Sequence, residues 1–265
     1  MKSNIKKYWI NGIVFILSIF VIYSATFAKV DSTAKSRIES SFNQALGVFA
    51  TAKALNGVIS LVQGTEIGPP GVTISIGEIL DPINDLVERF SWIMLASLSS
   101  LGIQKIFMNI VGYDSFTLVL VFSILVSNIL YLIRLKKYKK SRNLFLKFTI
   151  LLVFLRFSIP LMALSSEFVY VNFVQQDYSI EKSQKVIKEA QHDISKFDDK
   201  NASYFSTKYY KNKMIEFEKI ATDAGNHIVD LIIVFIFQTM LFPLIFLFIL
   251  YRLLISISHS FNFTV

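Results

Sequence analysis

Long apolar runs alternate with polar segments along this chain, and four of the runs are long enough to cross a membrane. They are Trp9–Ala28, Phe116–Ile133, Leu144–Leu164 and Leu231–Leu254. An α-helix needs about 20 apolar residues to cross a hydrocarbon core of about 30 Å. The pattern therefore predicts an all-α integral membrane protein with four transmembrane helices and two long extracytoplasmic helical loops.

A short basic loop between the second and third runs predicts the orientation of the chain. It carries six positive and no negative charges: Arg134, Lys136, Lys137, Lys139, Lys140 and Arg142. Such loops stay on the cytoplasmic side of the membrane, where we expect these side chains to contact anionic lipid headgroups. Both termini are then cytoplasmic. The high content of Lys, Ile, Asn and Phe favours a bacterial inner membrane as the location.

The predicted topology divides the chain into five parts. They are a tail with the first span, 1–28; a first outer region, 29–115; two spans around the basic loop, 116–164; a second outer region, 165–230; and the last span with a short tail, 231–265. The first run could instead be a secretory signal that is cleaved after Ala28. Either alternative leaves residues 29–115 outside.

The segment Ser91–Val111 is apolar enough to suggest a fifth span. However, a fifth crossing would turn the six-charge loop outward, against the charge bias of membrane proteins. We therefore expect this segment to form a helix that packs against the other spans or lies at the outer interface.

The first outer region has apolar residues at the spacing of one helix face. They are Ile38, Phe42, Ala45, Phe49, Ala52, Leu55, Ile59 and Val62. This spacing predicts a helix that begins at Asp31, as its N-cap, and ends at Gly64. After a strand-like stretch over Val72–Ile76, Asp81 and Pro82 predict the start of a second helix. We expect the two helices to pack as an antiparallel pair.

The second outer region has the pattern of a coiled-coil hairpin. The seam residues are Ile180, Ile187 and Ile194 at one position and Ser183, Ala190 and Phe197 at the other. Two heptads are too few for a stable isolated coil, so this arm needs its own return helix, which we favour, or another chain. We expect the hairpin 179–228 to recognise a protein partner, with the three isoleucines and Phe197 as the interaction residues.

The third predicted span contains a charged residue, Arg156, near its middle. A charged side chain at this depth costs several kcal/mol unless it is paired. It could bind an anion, a lipid headgroup or the carboxylate of a partner subunit. Alternatively, it could bond Asn128, Gln238 or carbonyls that Pro160 leaves free. We expect Arg156, Asn128 and Gln238 to form the polar core of the span bundle.

Two acidic clusters are weak candidates for chemistry. Asp223, His227 and Asp230 share a helix face and could hold a divalent metal, but three ligands on one helix are a weak signal. The carboxylates between residues 78 and 88 fit the first turns of a helix, where negative charge is favourable. The chain has no cysteine, and no nucleotide-binding or catalytic motif is present. We expect neither an enzyme nor a resident metal or cofactor.

These features predict a protein that acts through contacts of its outer helices, as a subunit or accessory of an envelope complex or as a homo-oligomer. Membrane lipids are the other expected partners, and the charge distribution does not favour nucleic acid. The alternatives are a small oligomeric channel or transporter, with Arg156 biasing it toward anions, and a membrane immunity or defence protein.

The predicted orientation is testable with alkaline phosphatase, which is active only outside the cytoplasm. A fusion at Lys139 should be inactive, because the basic loop is retained on the cytoplasmic side. A fusion within 166–230 is the control and should be active. An active fusion at Lys139 would contradict the whole topology.

Overall fold

The computed structural model describes residues 2–27, 30–63, 66–67, 74–133, 139–196 and 207–260. The helices are α1 Lys2–Phe27, α2 Val30–Gln63, α3 Ile76–Val111, α4 Asp114–Ile133, α5 Lys139–Val169, α6 Ile180–Ser195, α7 Thr207–Ile236 and α8 Phe242–Ser260. Five-residue π-helical turns follow α5 and α7, at Tyr170–Val174 and Phe237–Leu241. Between α2 and α3, the two-residue strands β1 Glu66–Ile67 and β2 Ile74–Ser75 pair antiparallel. The prediction of a helical fold is confirmed.

Five helical stretches are long and apolar enough to cross a membrane, as in a multi-pass membrane protein. They are Asp31–Gln63, Gly77–Val111, Asp114–Leu132, Ser141–Val174 and Lys211–Ser256, and a shorter apolar helix covers Gly12–Thr26. The predicted count of four spans is therefore not confirmed. Composition alone does not distinguish a span from a helix buried in a protein core, because both are apolar on most of their surface.

The predictions for the first outer region hold for the end of α2 and fail at the starts of α2 and α3. The helix α2 includes Val30, so Asp31 lies in its first turn and is not its N-cap. The helix α2 ends at Gln63, next to the predicted stop at Gly64, and β2 lies inside the strand-like stretch. The helix α3 begins at Ile76, so the predicted start at Asp81 is wrong. Pro82 lies inside α3. Because proline has no N–H, the carbonyl of Glu78, four residues earlier, loses its helical hydrogen bond.

The chain folds into two compact units, and their boundaries fall inside or at the ends of helices. One unit, here the apolar unit, comprises residues 1–39, 103–167 and 243–265. The other, the four-helix unit, comprises residues 40–102 and 168–242.

The four-helix unit is built from α2, α3, α6 and α7. Gln63 Nε2 donates to Asp81 Oδ1 at 2.9 Å, which places the end of α2 beside the start of α3, and Gly102 lies against the Phe42 ring. The predicted antiparallel packing of this pair is thereby confirmed.

The other helix pair, α6 and α7, forms the predicted internal hairpin. Ser183 Oγ, in the first turn of α6, lies 3.0 Å from His227 Nδ1, far along α7. The next residue of α6 faces α2, where Gln184 Nε2 donates to Thr51 Oγ1 at 3.1 Å. The fourth contact joins α3 to the π-helical turn that follows α7, where Ser100 Oγ donates to the carbonyl of Thr239 at 2.6 Å.

One continuous apolar core fills the four-helix unit. Its largest fully buried side chains come from all four helices: Leu55, Ile59, Leu80, Phe90, Met94, Ile180, Ile187 and Phe235. Each helix contributes one apolar stripe, as expected when burial of apolar area holds a bundle together.

The apolar unit has α1 and α4 packed antiparallel. Ser18 Oγ donates to Asn128 Oδ1 at 3.3 Å, and Ala25 shares an apolar cluster with Leu120. Earlier in the chain, Lys105 Nζ lies 3.0 Å from Glu39 Oε1. As the chain advances from residue 103 to residue 133, its contacts are with successively earlier residues: first Glu39 of α2, then Ala25 and finally Ser18 of α1. The end of α3 and the whole of α4 therefore run in the same direction.

The surface of the apolar unit is rich in exposed apolar side chains. Those more than 60 % exposed are Ile16, Phe20, Tyr23, Ile106, Tyr113, Leu118, Phe122, Leu132, Leu144 and Leu244. Water-soluble surfaces rarely carry apolar residues at this density, and lipid tails are the solvent that suits them.

Replacing a core residue of the four-helix unit should destabilise it strongly. Phe90 is fully buried, so Phe90→Ala should cost about 3–5 kcal/mol through lost burial and a residual cavity. The neighbouring exposed residue provides the control, and Arg89→Ala should change stability by less than about 0.5 kcal/mol. Thermal unfolding of the detergent-solubilised protein, followed by circular dichroism, would measure both. Equal midpoints for the two variants would contradict the described packing.

Candidate functional site

The most deeply buried charge in the described residues is Arg156 of α5, whose side chain is 2 % exposed. Its Nη1 donates to Asp31 Oδ1 at 2.7 Å, and its Nη2 donates to Asp31 Oδ2 in a short contact. The same Nη2 donates to the carbonyl of Ala25 at 3.0 Å. The guanidinium is therefore held by a two-pronged ion pair and one backbone group, all from a single chain.

The position of these partners follows from the helix termini. Ala25 belongs to the last turn of α1, whose carbonyls have no partner within the helix. Asp31 lies in the first turn of α2, where the helix dipole stabilises a carboxylate. Arg156 thus satisfies one helix end and neutralises the charge placed at the start of the next.

One polar atom at this site is unsatisfied. Arg156 Nε is buried and has no hydrogen-bond partner within the described part of the chain. The guanidinium carbon lies 5.7 Å from the centre of the Phe157 ring, which adds a modest cation–π attraction. The pair with Asp31 carries no net charge, so it suits a structural role, in which it locks α5 to the junction of α1 and α2. It suits the binding of a free anion less well, because the guanidinium charge is already neutralised.

A cluster of three hydroxyls lies between α4 and α5. Thr149 Oγ1 is 2.7 Å from both Ser123 Oγ and Ser127 Oγ. All three residues are buried. Thr149 also lies 3.0 Å from the carbonyl of Phe145, which accepts its hydrogen bond. Interhelical hydroxyl bonds of this kind hold helices together in apolar surroundings.

The three residues of the predicted polar core have different neighbours in the structure. Arg156 bonds Asp31 and Ala25, as described above. Asn128 accepts a hydrogen bond from Ser18 and donates one to the carbonyl of Ile124 at 2.9 Å. Gln238 belongs to the π-helical turn of the four-helix unit. The shared core of the three residues thus stays a prediction, and Asp31 is the partner that the sequence did not identify.

The predicted interaction residues of α6 are occupied inside the chain. Ile180, Ile187 and Ile194 are at most 1 % exposed and belong to the core of the four-helix unit. They pack against the chain's own helices and are not exposed to a partner. Phe197 lies outside the described residues.

The weak metal candidate has a different explanation. His227 Nδ1 lies 3.0 Å from Ser183 Oγ and 3.4 Å from Asp230 Oδ2, while Asp223 is exposed. No group of three ligands that could hold a metal ion occurs among the described residues. The serine and the aspartate both approach the same ring nitrogen, whereas a catalytic triad uses one nitrogen for each.

The basic loop is described only in part. Arg134, Lys136 and Lys137 lie outside the described residues, and Lys139 and Lys140 begin α5. Arg142 follows in the first turn of α5 and is half-buried.

A second candidate site is an apolar groove on the four-helix unit. It has a volume of about 550 Å³ and lies between α3 and α7. Its walls are Ile79, Pro82, Ile83 and Leu86 on α3, and Met214, Glu218, Ala221, Thr222, Gly225, Asn226 and Val229 on α7. Gly225 deepens it, because a Cβ there would come 3.7 Å from Leu86 Cδ2.

The sequence contained a signal for the hydroxyl cluster but not for the groove. Ser123 and Ser127, four residues apart, mark one face of α4, and Thr149 is the only partner in the cluster that this spacing did not indicate. The groove was harder to predict, because it needs the pairing of α3 with α7, which are far apart in sequence.

Comparison with family models, with curated proteins and with solved structures finds no match for this chain.

Removing one member of the buried ion pair should destabilise the apolar unit. Arg156→Met leaves Asp31 without its cation, and Asp31→Leu leaves a buried guanidinium. Each should cost about 3–5 kcal/mol, and the double variant should cost less than either, because no uncompensated charge remains. The exposed pair Arg37–Glu167, at 2.9 Å, is the control, and its removal should cost about 1 kcal/mol or less. Thermal unfolding midpoints in detergent would measure the coupling between the two substitutions, and additive effects would contradict the lock.

Proposed function

We propose that this chain is a non-enzymatic protein of a bacterial inner membrane that acts through protein–protein contacts of its outer helices, as a subunit of an envelope assembly. Residues 40–102 and 168–242 form the contact module in this proposal. The remaining helices anchor the module in the bilayer.

In this proposal the chain crosses the membrane four times. The end of α3 and α4 run in one direction, which supports a single passage for the chain from 103 to 133. With α1, α5 and α8 this gives an even number of passages, cytoplasmic termini and a cytoplasmic basic loop. The density of exposed apolar side chains on the apolar unit supports its placement in lipid.

The anchoring role is supported by the chemistry of the buried polar groups. Asp31 neutralises Arg156, and the hydroxyl cluster bonds within itself. Groups that satisfy one another are suited to holding helices together. The alternative of an anion-selective channel has less support, because the charge that suggested it is already paired.

The observation that carries the contact role is the groove between α3 and α7. Pockets that bind proteins and peptides are concave and mainly apolar, with a few polar groups, and only Glu218 brings a formal charge to these walls. The exposed apolar residues Ile215, Val229 and Ile233 extend the apolar surface along α7. A helix with an apolar stripe is the natural occupant.

Photo-crosslinking in intact cells tests this function. A photoreactive amino acid at Thr222, which lines the groove, should yield discrete crosslinked protein bands. The control is the same amino acid at Lys185, which is 77 % exposed on α6 and should yield at least fivefold less product. Equal or absent crosslinking at both sites would contradict a contact role for the groove.

A further inference from the structure

The two helices that border the groove carry opposite charge. The first turns of α3, residues 76–89, contain four carboxylates, Glu78, Asp81, Asp85 and Glu88, and one guanidinium, Arg89. The first turns of α7, residues 207–219, contain four lysines, Lys208, Lys211, Lys213 and Lys219, and two glutamates. The first turns of α3 are thus net acidic and those of α7 net basic, and Glu218 of α7 is the one charged residue among the described residues of the groove wall.

We infer that the groove binds a second copy of this chain, so that the protein is a two-fold symmetric dimer with its acidic α3 against the basic α7 of the other copy. This inference rests on the proposed function, since it names the partner of the same groove. A two-fold interface uses the same patch on both copies, so the patch must be self-complementary. A patch flanked by one net acidic and one net basic helix start meets that requirement.

The directions of the helices select the symmetry axis. Leu86 lies beside Gly225. Fourteen residues further along each chain segment, Ser100 bonds Thr239 of the π-helical turn that continues α7, so α3 and α7 run parallel. A two-fold axis parallel to them places α3 of each copy opposite α7 of the other. An axis perpendicular to the helices within the interface would instead place acidic α3 against acidic α3, which like-charge repulsion disfavours.

This geometry names a specific ion pair across the interface. Measured from the height of the Leu86–Gly225 contact, Lys219 lies about 9 Å toward the start of α7, and Glu78 lies about 12 Å toward the start of α3, at about 1.5 Å per residue. Rotation about an axis parallel to the helices leaves these heights unchanged. Lys219 of one copy therefore lies at nearly the same height as Glu78 of the other. Both side chains are exposed.

Charge reversal of the full-length protein in lipid vesicles tests the dimer. The chain lacks cysteine, so one cysteine introduced at Lys188, on α6, allows labelling with donor and acceptor dyes. Energy transfer between labelled copies then reports self-association. Lys219→Glu and Glu78→Lys should each weaken self-association at least tenfold, and the double variant should restore it to within about threefold of the unsubstituted protein. Lys185→Glu, on the exposed face of α6, should have no effect.

The possible results separate this inference from the proposed function. Loss in both single variants with recovery in the double variant supports the dimer. Absence of self-association in the unsubstituted protein, or self-association that neither single variant changes, overturns it. If Thr222 then crosslinks a different protein in cells, the contact role of the groove stands and only the second copy is wrong. If Thr222 crosslinks nothing, both proposals fail.

Discussion

The packing of the apolar unit depends on the buried guanidinium of Arg156 more than on any other single group in the described residues. Removal of a charge from water costs several kcal/mol, and an ion pair with good geometry and additional hydrogen bonds offsets this cost. Arg156 meets that condition only where α1 ends and α2 begins, because the free carbonyl and the carboxylate occur together there. The junction of α1 and α2 is thereby fixed against the middle of α5, and the unpartnered Nε is the cost that remains.

The two units are stabilised by different physical effects. In the four-helix unit, apolar stripes from four helices meet in one core, and their burial supplies the stabilisation. In the apolar unit, large apolar side chains remain on the surface, so burial contributes less and polar bonds between helices contribute more. The hydroxyl cluster and the Ser18–Asn128 bond belong to this second class.

Sequence patterns predicted what depends on local periodicity. The heptad spacing of Ile180, Ile187 and Ile194 correctly indicated a buried seam and an internal hairpin, because periodicity reports which face is covered. It did not report what covers that face, and the isoleucines were therefore expected to bind a partner. The start of α3 was misplaced because proline at the first helical position is only the commonest arrangement.

The main polar site could not be derived from the sequence for a geometric reason. Arg156 was recognised as a buried charge that needs a partner, but Asp31 lies outside the predicted spans and 125 residues away. Helix-end chemistry made both Asp31 and the carbonyl of Ala25 suitable. Only the packing of α5 against the α1–α2 junction selected them. The α3–α7 groove has the same origin, since it exists only where two distant helices meet.

The separation of Arg156 from Asp31 also has a consequence for biosynthesis. Ribosomes add about 5–20 residues per second, so the carboxylate of Asp31 is made roughly ten seconds before its cation. During that interval most of α2 and all of α3 and α4 are synthesised, yet the junction of α1 and α2 lacks the group that fixes it. Folding of this chain therefore has an obligatory order, in which the first half lacks this ion pair until α5 has been synthesised.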